Sequence, residues 1–370
     1  MKSYCFNINT TTYFGSGCLK EALNSEKGII GSRTLLITTG KILDKLGFTD
    51  ELCSSLETDI VRYDGVTANP DVAEIRKAIE LGKNARVQSV IGFGGGSAID
   101  AAKAAAVGIV SDIDIEDYLI NGLDLPGNTL PIIAIPTTAG TGAELSKGAI
   151  VSSREKGIKS GIRGEKVAPA VAIIDPRYTF SLPINVTLET GFDVFAHAAE
   201  SFCAVNANPF SEMLSEKAIK IVGESLPRLV NNIDDHEARE SMSFASHIMG
   251  YNVRNIGNCL PHRLQYPLGV VTETSHGAGL IALYPAWINY ESIVNNERID
   301  TILDWLGCEK GRPIDRIRKW QKKLGISYTI SELGNNATAE ELTRMVAGNL
   351  KNDRLAVQEN IITTIYQESM

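Results

Sequence analysis

Two short segments in the second half of the chain carry residues able to hold a metal ion. In GFDVFAHAAE, Asp193 and His197 stand four apart in a helical pattern, which puts both side chains on one face, close enough to share an ion. In CLPHRLQYPLGVVTETSHGAG, His262 and His276 follow, 14 residues apart. Three imidazoles and a carboxylate make a donor set suited to Fe²⁺ or Zn²⁺. The plainer reading is an Asp–His hydrogen bond on a helix and two unrelated histidines. Taken pair by pair it is the commoner outcome, since most buried histidines are simply hydrogen-bonded. Gly277 directly after His276, and Pro267–Gly269 between the two histidines, favour the metal set. His236 and His247 lack such surroundings and read as a surface and a core residue.

The first half holds a different kind of candidate. Ser89–Lys103 reads SVIGFGGGSAIDAAK: an apolar strand, then Gly94–Gly95–Gly96, Ser97 and an alanine-rich helix. Glycines let the backbone turn tightly and present its N–H groups without side-chain obstruction. The positive end of the following helix suits a pyrophosphate. A glycine-rich strand-to-helix turn alone is weak support for phosphate binding, and the GxGxxG spacing is absent. A second loop strengthens it. Pro136–Ser146, PTTAGTGAELS, also follows an apolar strand and offers hydroxyls at Thr137, Thr138 and Thr141. Two such loops at neighbouring parallel strand ends fit the rule that ligands bind at the carboxyl edge of the sheet.

The elements that must position these groups change character along the chain. Thr34–Thr39, Asp59–Tyr63, Ser89–Gly92 and Pro131–Ile135 read as strands rich in Ile and Val, with helical spacing over Asp71–Ala85 and Ser97–Val107, and the character changes after Val171–Asp175. Strand–helix–strand alternation predicts a parallel sheet covered on both faces. From Asn185 onward, long amphipathic segments with few β-branched runs predict a helical domain. The expected division is an α/β dinucleotide-binding domain over 1–180 and a helical metal and substrate domain over 181–370, with the boundary in Pro176–Pro183 and a ligand cleft between them.

Composition excludes several classes. The chain has 370 residues, 44 % hydrophobic and 22 % charged, with a formal net charge of −8. A nucleic-acid binder needs a basic face, and a membrane span needs about 20 apolar residues in a row; neither is present. The opening MKSYCFNINTTTYFG lacks the pattern of a secretory signal. Six scattered cysteines without a CxxC pair read as free and buried. A soluble cytoplasmic enzyme is expected.

Taken together, YFGSG (Tyr13–Gly17), Asn69–Pro70, GGGSAIDAAK, PTTAGTGAE, AIIDP (Ala172–Pro176), Leu182–Pro183, TGFDVFAHAAESF and the HRLQYPLG…SHG region resemble the iron-containing, or group III, alcohol dehydrogenases, in order and spacing over nearly the whole chain. The resemblance implies a Rossmann-like α/β N-terminal domain, an all-α metal-binding C-terminal domain, and hydride transfer between NAD(P)H and an aldehyde. It implies Asp193, His197, His262 and His276 as metal ligands and Gly95, Gly96 and Ser97 at the pyrophosphate. Thr137, Thr138 and Thr141 would lie along the nicotinamide and its ribose, and Asn69 and Lys159 at the cofactor. A homodimer is the family's minimum assembly.

The departures from that pattern are specific. Many relatives place a second histidine four residues after the third ligand, assigned to proton relay; here Tyr266 stands there, so the relay runs through tyrosine, water or a cofactor hydroxyl. NAD-selective members often place Asp where this chain has Gly40, followed by Lys41, so NAD is expected with NADP left open. Near the ligands the run VRNIGNCLPHR supplies Val253, Arg254, Asn258 and Arg263, and Lys147 follows the PTTAGTGAELS loop. Buried cationic and amide groups need partners, and an anionic substrate would be one. The expected substrate is a short aldehyde with a terminal anion, as for the family's sulfoacetaldehyde reductases. The alternatives are a general short-chain alcohol or diol dehydrogenase, in which the arginines are scaffold, and a non-catalytic dinucleotide-binding sensor.

Overall fold

The computed structural model describes residues 3–370 apart from Asn349 and Glu359. The chain divides into two compact units: 7–181, and 182–370 together with the first six residues. The N-terminal segment joins the helical unit through Phe6, whose ring meets Phe210 edge-on at 4.6 Å.

The first unit is built on six parallel strands: β1 (Thr11–Phe14), β2 (Arg33–Ile37), β3 (Asp59–Tyr63), β4 (Ser89–Gly94), β5 (Ile132–Pro136) and β8 (Val171–Ile174). Their order across the sheet is β1-β8-β5-β4-β2-β3, with every pairing parallel. The central strands are buried on both faces, which is why they read as unbroken Ile/Val/Leu runs. Alternation splits their side chains. Leu35, Ile37, Val90 and Ile132 pack under the helices Val72–Ala85 and Gly96–Ile109. Leu36, Ile91, Ile133 and Ile135 pack against Leu19–Ser25 and Phe48–Ser55 on the other face.

From β2 the chain moves outward to β3 and then returns past β2 to β4. The sheet's strand order is therefore the flavodoxin-type 2-1-3-4-5 arrangement rather than the ordinary dinucleotide-fold order, and it reverses between β2 and β4. The carboxyl ends at that reversal lead into Gly40 and into Gly94–Ser97.

Two features were not anticipated. β1 is four residues long at an edge and half-exposed. An antiparallel hairpin, β6 (Gly148–Ser153) with β7 (Ile158–Arg163), lies outside the main sheet. The fully buried Lys103 ties the start of β6 to the helix Gly96–Ile109 by donating to Ser146 Oγ and the Gly148 carbonyl, each at 2.8 Å, beside Asp100 at 3.4 Å. Asp100 in turn accepts from the Ile150 amide at 3.0 Å.

The second unit is built from helices and connecting loops, with no strand among its described residues. Its core is an aromatic cluster in which Phe192, Phe195, Tyr284, Trp287 and Trp320 meet at ring separations of 5.0–6.3 Å. The helix Ile184–Cys203 runs through that core. Pro267, between the two histidines in sequence, lies inside the helix Leu260–Thr272. Of the six free cysteines only Cys203 and Cys259 are buried; Cys5 is exposed and Cys18, Cys53 and Cys308 are half-buried, so the expectation of buried thiols holds for two. No helix among the described residues is long and apolar enough to cross a membrane.

Candidate metal centre and dinucleotide loops

Three helices bring the metal candidates together. Asp193 and His197 project from one face of Ile184–Cys203, His262 lies in the first turn of Leu260–Thr272, and His276 opens His276–Val294. The last arrangement depends on Gly277. A Cβ there would fall 2.4 Å from the Glu189 carbonyl oxygen, so only glycine lets this helix start against the backbone one turn before Asp193. The adjoining Ser275 donates to the Glu189 carboxylate at 2.6 Å.

The geometry converges on one oxygen. Asp193 Oδ1 lies 3.3 Å from His262 Nε2, 3.4 Å from His197 Nε2 and 3.6 Å from His276 Nε2. Asp193, His262 and His276 form the tighter group able to hold an ion, and His197 stacks on His262 at 4.3 Å. Each ring's other nitrogen faces an oxygen. His262 Nδ1 donates to Glu200 Oε1 at 2.6 Å, His276 Nδ1 to Gln265 Oε1 at 2.5 Å, and His197 Nδ1 to Asn258 Oδ1 at 3.3 Å. Carboxylate and amide oxygens can only accept from a ring N–H, so all three rings carry a proton on Nδ1 and turn Nε2 toward Asp193, where a cation could be held. This is the donor chemistry a divalent cation requires, and the residues fit it.

The electrostatics carry the same stamp. Burial opposes the charge on Asp193, but His197, His276 and His262 together outweigh it and hold the carboxyl well below the usual range. Burial pushes His197 down to about 4, against the pull of Asp193. For His262, Glu200 and Asp193 overcome burial and push the imidazole up to about 9. A cation would replace the proton that these carboxylates otherwise favour there.

Glu200 and Gln265 were missed by sequence reasoning. A signal existed: Asp193, His197 and Glu200 are spaced i, i+4, i+7 along one helix, and Gln265 stands three after His262. Asn258, expected at the substrate, accepts from His197 Nδ1 at 3.3 Å.

The remaining substrate and relay candidates are placed as follows. Tyr266 is buried, its ring 6.4 Å from that of His276. Arg263 stacks its guanidinium 5.8 Å from the centre of the Tyr266 ring, and its Nε is buried with no hydrogen-bond partner. Arg254 is buried on the helix His236–Asn255, and Val253 beside it is half-buried. Lys147 is exposed, and its charge is met by Glu165 at 3.2 Å.

In the first unit, the glycine loop and the threonine loop lie against each other. A Cβ on Gly95 would approach Thr138 at 3.4 Å, and one on Gly96 would approach Thr141 at 2.9 Å. The Thr137 amide donates to the Gly94 carbonyl at 2.9 Å. Gly94 has φ +154°, a conformation that side chains rarely adopt, and a Cβ there would also press on Ala98 at 2.8 Å. The helix that follows begins at Gly96 with no side-chain cap and no acidic residue in its first turn, so no side chain of its own takes up its amide end, where Ser97 lies. Lys159 on β7 donates to Asn69 Oδ1 at 2.9 Å, so two candidates far apart in sequence meet. Gly40 has φ +59° and follows β2 at the sheet's reversal.

Comparison with known proteins agrees with both halves. Residues 9–176 match the family described as iron-containing alcohol dehydrogenase, and residues 187–369 its C-terminal domain. Alcohol dehydrogenase 4 of Schizosaccharomyces pombe is 32 % identical over 338 residues, covering 89 % of this chain and 79 % of that protein. The sulfoacetaldehyde reductase of Bilophila wadsworthia is 33 % identical over 296 residues, covering 79 % and 76 %. The crystal structure of sulfoacetaldehyde reductase from Bifidobacterium kashiwanohense in complex with NAD⁺ superposes with a TM-score of 0.89 at 27 % identity, over 100 % of this chain and 99 % of that one. The chain therefore belongs to the iron-containing alcohol dehydrogenase family. It is an oxidoreductase of the alcohol dehydrogenase and aldehyde reductase class.

Proposed function

We propose that the protein interconverts a short aldehyde bearing a terminal anion, of the sulfoacetaldehyde type, with its alcohol. The overall change is aldehyde + NADH + H⁺ to alcohol + NAD⁺. When bound, the nicotinamide supplies the hydride and a divalent cation, Fe²⁺ or Zn²⁺, polarises the carbonyl oxygen.

The chain's own residues do the rest. Asp193, His197, His262 and His276 hold the cation, and Glu200, Gln265 and Asn258 fix the three rings. Gly95, Gly96 and Ser97 bind the pyrophosphate on backbone amides. Thr137, Thr138 and Thr141 line the nicotinamide end, and the Lys159–Asn69 pair is a polar contact for the cofactor. Tyr266, beside His276, carries the proton to the product oxygen. The reading includes a cytoplasmic location and a homodimer or larger assembly.

The observation that carries the metal chemistry is the convergence of three Nε2 atoms on Asp193 Oδ1. The anionic substrate rests on Arg263, next in sequence to His262, with a buried Nε that nothing in the described structure satisfies. Such a group costs about 1–3 kcal/mol when unmatched, and a sulfonate, phosphonate or carboxylate would match it.

The test is NADH oxidation by metal-reconstituted protein with sulfoacetaldehyde, phosphonoacetaldehyde and succinic semialdehyde beside propanal and glycolaldehyde. One anion is expected to dominate kcat/KM. Arg263→Ala should cut that preference about 10–100-fold, while propanal turnover stays unchanged. A wild-type preference for the neutral aldehydes would return the protein to the general alcohol dehydrogenases and Arg263 to the scaffold.

A further inference from the structure

Four charges gather where β2 and β3 end. The Gly40 amide donates to the Asp64 carbonyl at 3.0 Å, and Thr39 bridges Gly65, so the two loops are zipped together. This carries the Lys41 ammonium onto the Asp64 carboxylate, with Asp44 at 3.9 Å. Arg62 takes Asp44 at 2.6 Å. Two cations face two carboxylates, so their formal charges cancel. A Cβ at Gly40 would meet nothing within 4 Å, so the space beside this cluster is open.

The location matters because the sheet order reverses between β2 and β4. In dinucleotide folds an acidic side chain near such a crevice reads the adenosine ribose 2′-hydroxyl and repels a 2′-phosphate. At the end of β2 that side chain is missing, since the residue is Gly40. Lys41 alone would invite a 2′-phosphate, but its charge is already met.

We propose that Asp64, reaching over from the end of β3, sets the preference for NAD(H) over NADP(H). It does so by offering a carboxylate to the ribose hydroxyl and by withholding Lys41 from a phosphate. The proposal rests on the dinucleotide reading of the first unit. A 2′-phosphate brings a charge of about −1.5 to −2 against a cluster with no spare positive charge. Asp64→Asn keeps the backbone carbonyl that Gly40 uses, and it releases Lys41.

The experiment is calorimetric titration of the full-length, metal-loaded protein with 5′-AMP and with adenosine 2′,5′-bisphosphate. In the wild type 5′-AMP is expected to bind at least about tenfold more tightly. Asp64→Asn should tighten the bisphosphate about fivefold and weaken 5′-AMP about twofold to threefold, the scale of partly exposed charges. Adding Lys41→Gln to Asp64→Asn should erase the gain, which a merely structural effect of Asp64 would not do. A wild type that prefers the bisphosphate, or an Asp64→Asn variant with an unchanged ratio of the two affinities, overturns the proposal. Binding of neither nucleotide overturns the dinucleotide reading itself.

Discussion

The metal centre and the glycine loop solve opposite problems. At the centre, four side chains from three helices meet, and each imidazole is braced through its second nitrogen. At the loop, side chains are absent: Gly94, Gly95 and Gly96 present backbone, and the neighbouring threonines fill the space around it. A site made of side chains fails when one is removed. A site made of backbone fails when a side chain is added. The two regions should therefore respond to mutation with different signatures, metal loss in one and cofactor loss in the other.

The largest effect expected is from Asp193→Ala. It removes the one oxygen that all three imidazoles face, and it should abolish stoichiometric metal binding by elemental analysis. The loss in kcat/KM should be about 10³-fold or more, roughly 4 kcal/mol of transition-state stabilisation. Nucleotide affinity, set in the other unit, should not change. Retention of metal with full turnover would remove Asp193 from the site.

Next comes a contrast between two fully buried glutamates. Glu200 accepts from His262 and, at 2.7 Å, from the Cys259 amide. Glu144, in the threonine loop, is pushed up to about 7 by burial, which its own backbone amide and Lys103 only partly offset. The sign follows from linkage. Below pH 4.5 the group is protonated whether the chain is folded or not, and it costs nothing. Between 4.5 and about 7 the unfolded chain ionises while the folded one resists, so stability falls with rising pH and then levels off. The penalty is about 3 kcal/mol above neutrality. Glu144→Gln should stabilise the protein by about that amount at pH 8 and hardly at all at pH 4. Urea unfolding at both values checks it; equal slopes against pH for variant and wild type would sink the idea.

Glu200→Gln tests the bracing. The Gln oxygen can still accept from His262, but the negative charge that raises the imidazole's basicity is gone. Metal affinity should fall about 10–100-fold, as is usual for second partners of ligating histidines. Competition with a chelator measures it, and an unchanged affinity would mean the buried glutamate serves packing alone.

How much of this was legible in sequence follows from what each feature depends on. The central strands and the helix Gly96–Ile109 announce themselves because burial on both faces demands long Ile/Val and Ala runs. The loops at their ends were marked by the triple glycine and by PTTAGTG, each directly after an apolar strand. β1 was hidden because TTYF is short and half-polar at a sheet edge, and β6–β7 because Gly and Ser dilute its alternation. Asp193, His197, His262 and His276 stand out as residue types. Glu200, Gln265 and the contact of Asn258 with His197 do not, because they exist only once the helices have packed. Asp64 is further still from the reach of sequence: nothing in VRYDG says that its carboxylate meets the lysine after β2.

The smallest and cleanest effect is expected at Gly95. Its backbone, φ −71° and ψ −174°, is one that alanine adopts freely, and a methyl there would touch only Thr138 at an ordinary 3.4 Å. The fold should accept Gly95→Ala without a shift in Tm, unlike Gly94→Ala, where φ is positive and Ala98 is in the way. The methyl would instead stand where the phosphates must approach the helix amides. Crowding of that order costs about 1–3 kcal/mol, so the Kd for NADH should rise about tenfold while metal content stays constant. Fluorescence titration of NADH on the metal-loaded variant reads it directly. A normal Kd with a normal Tm would show that the pyrophosphate does not lie on this backbone, and the contrast between a site of side chains and a site of bare amides would fail at the loop while standing at the metal.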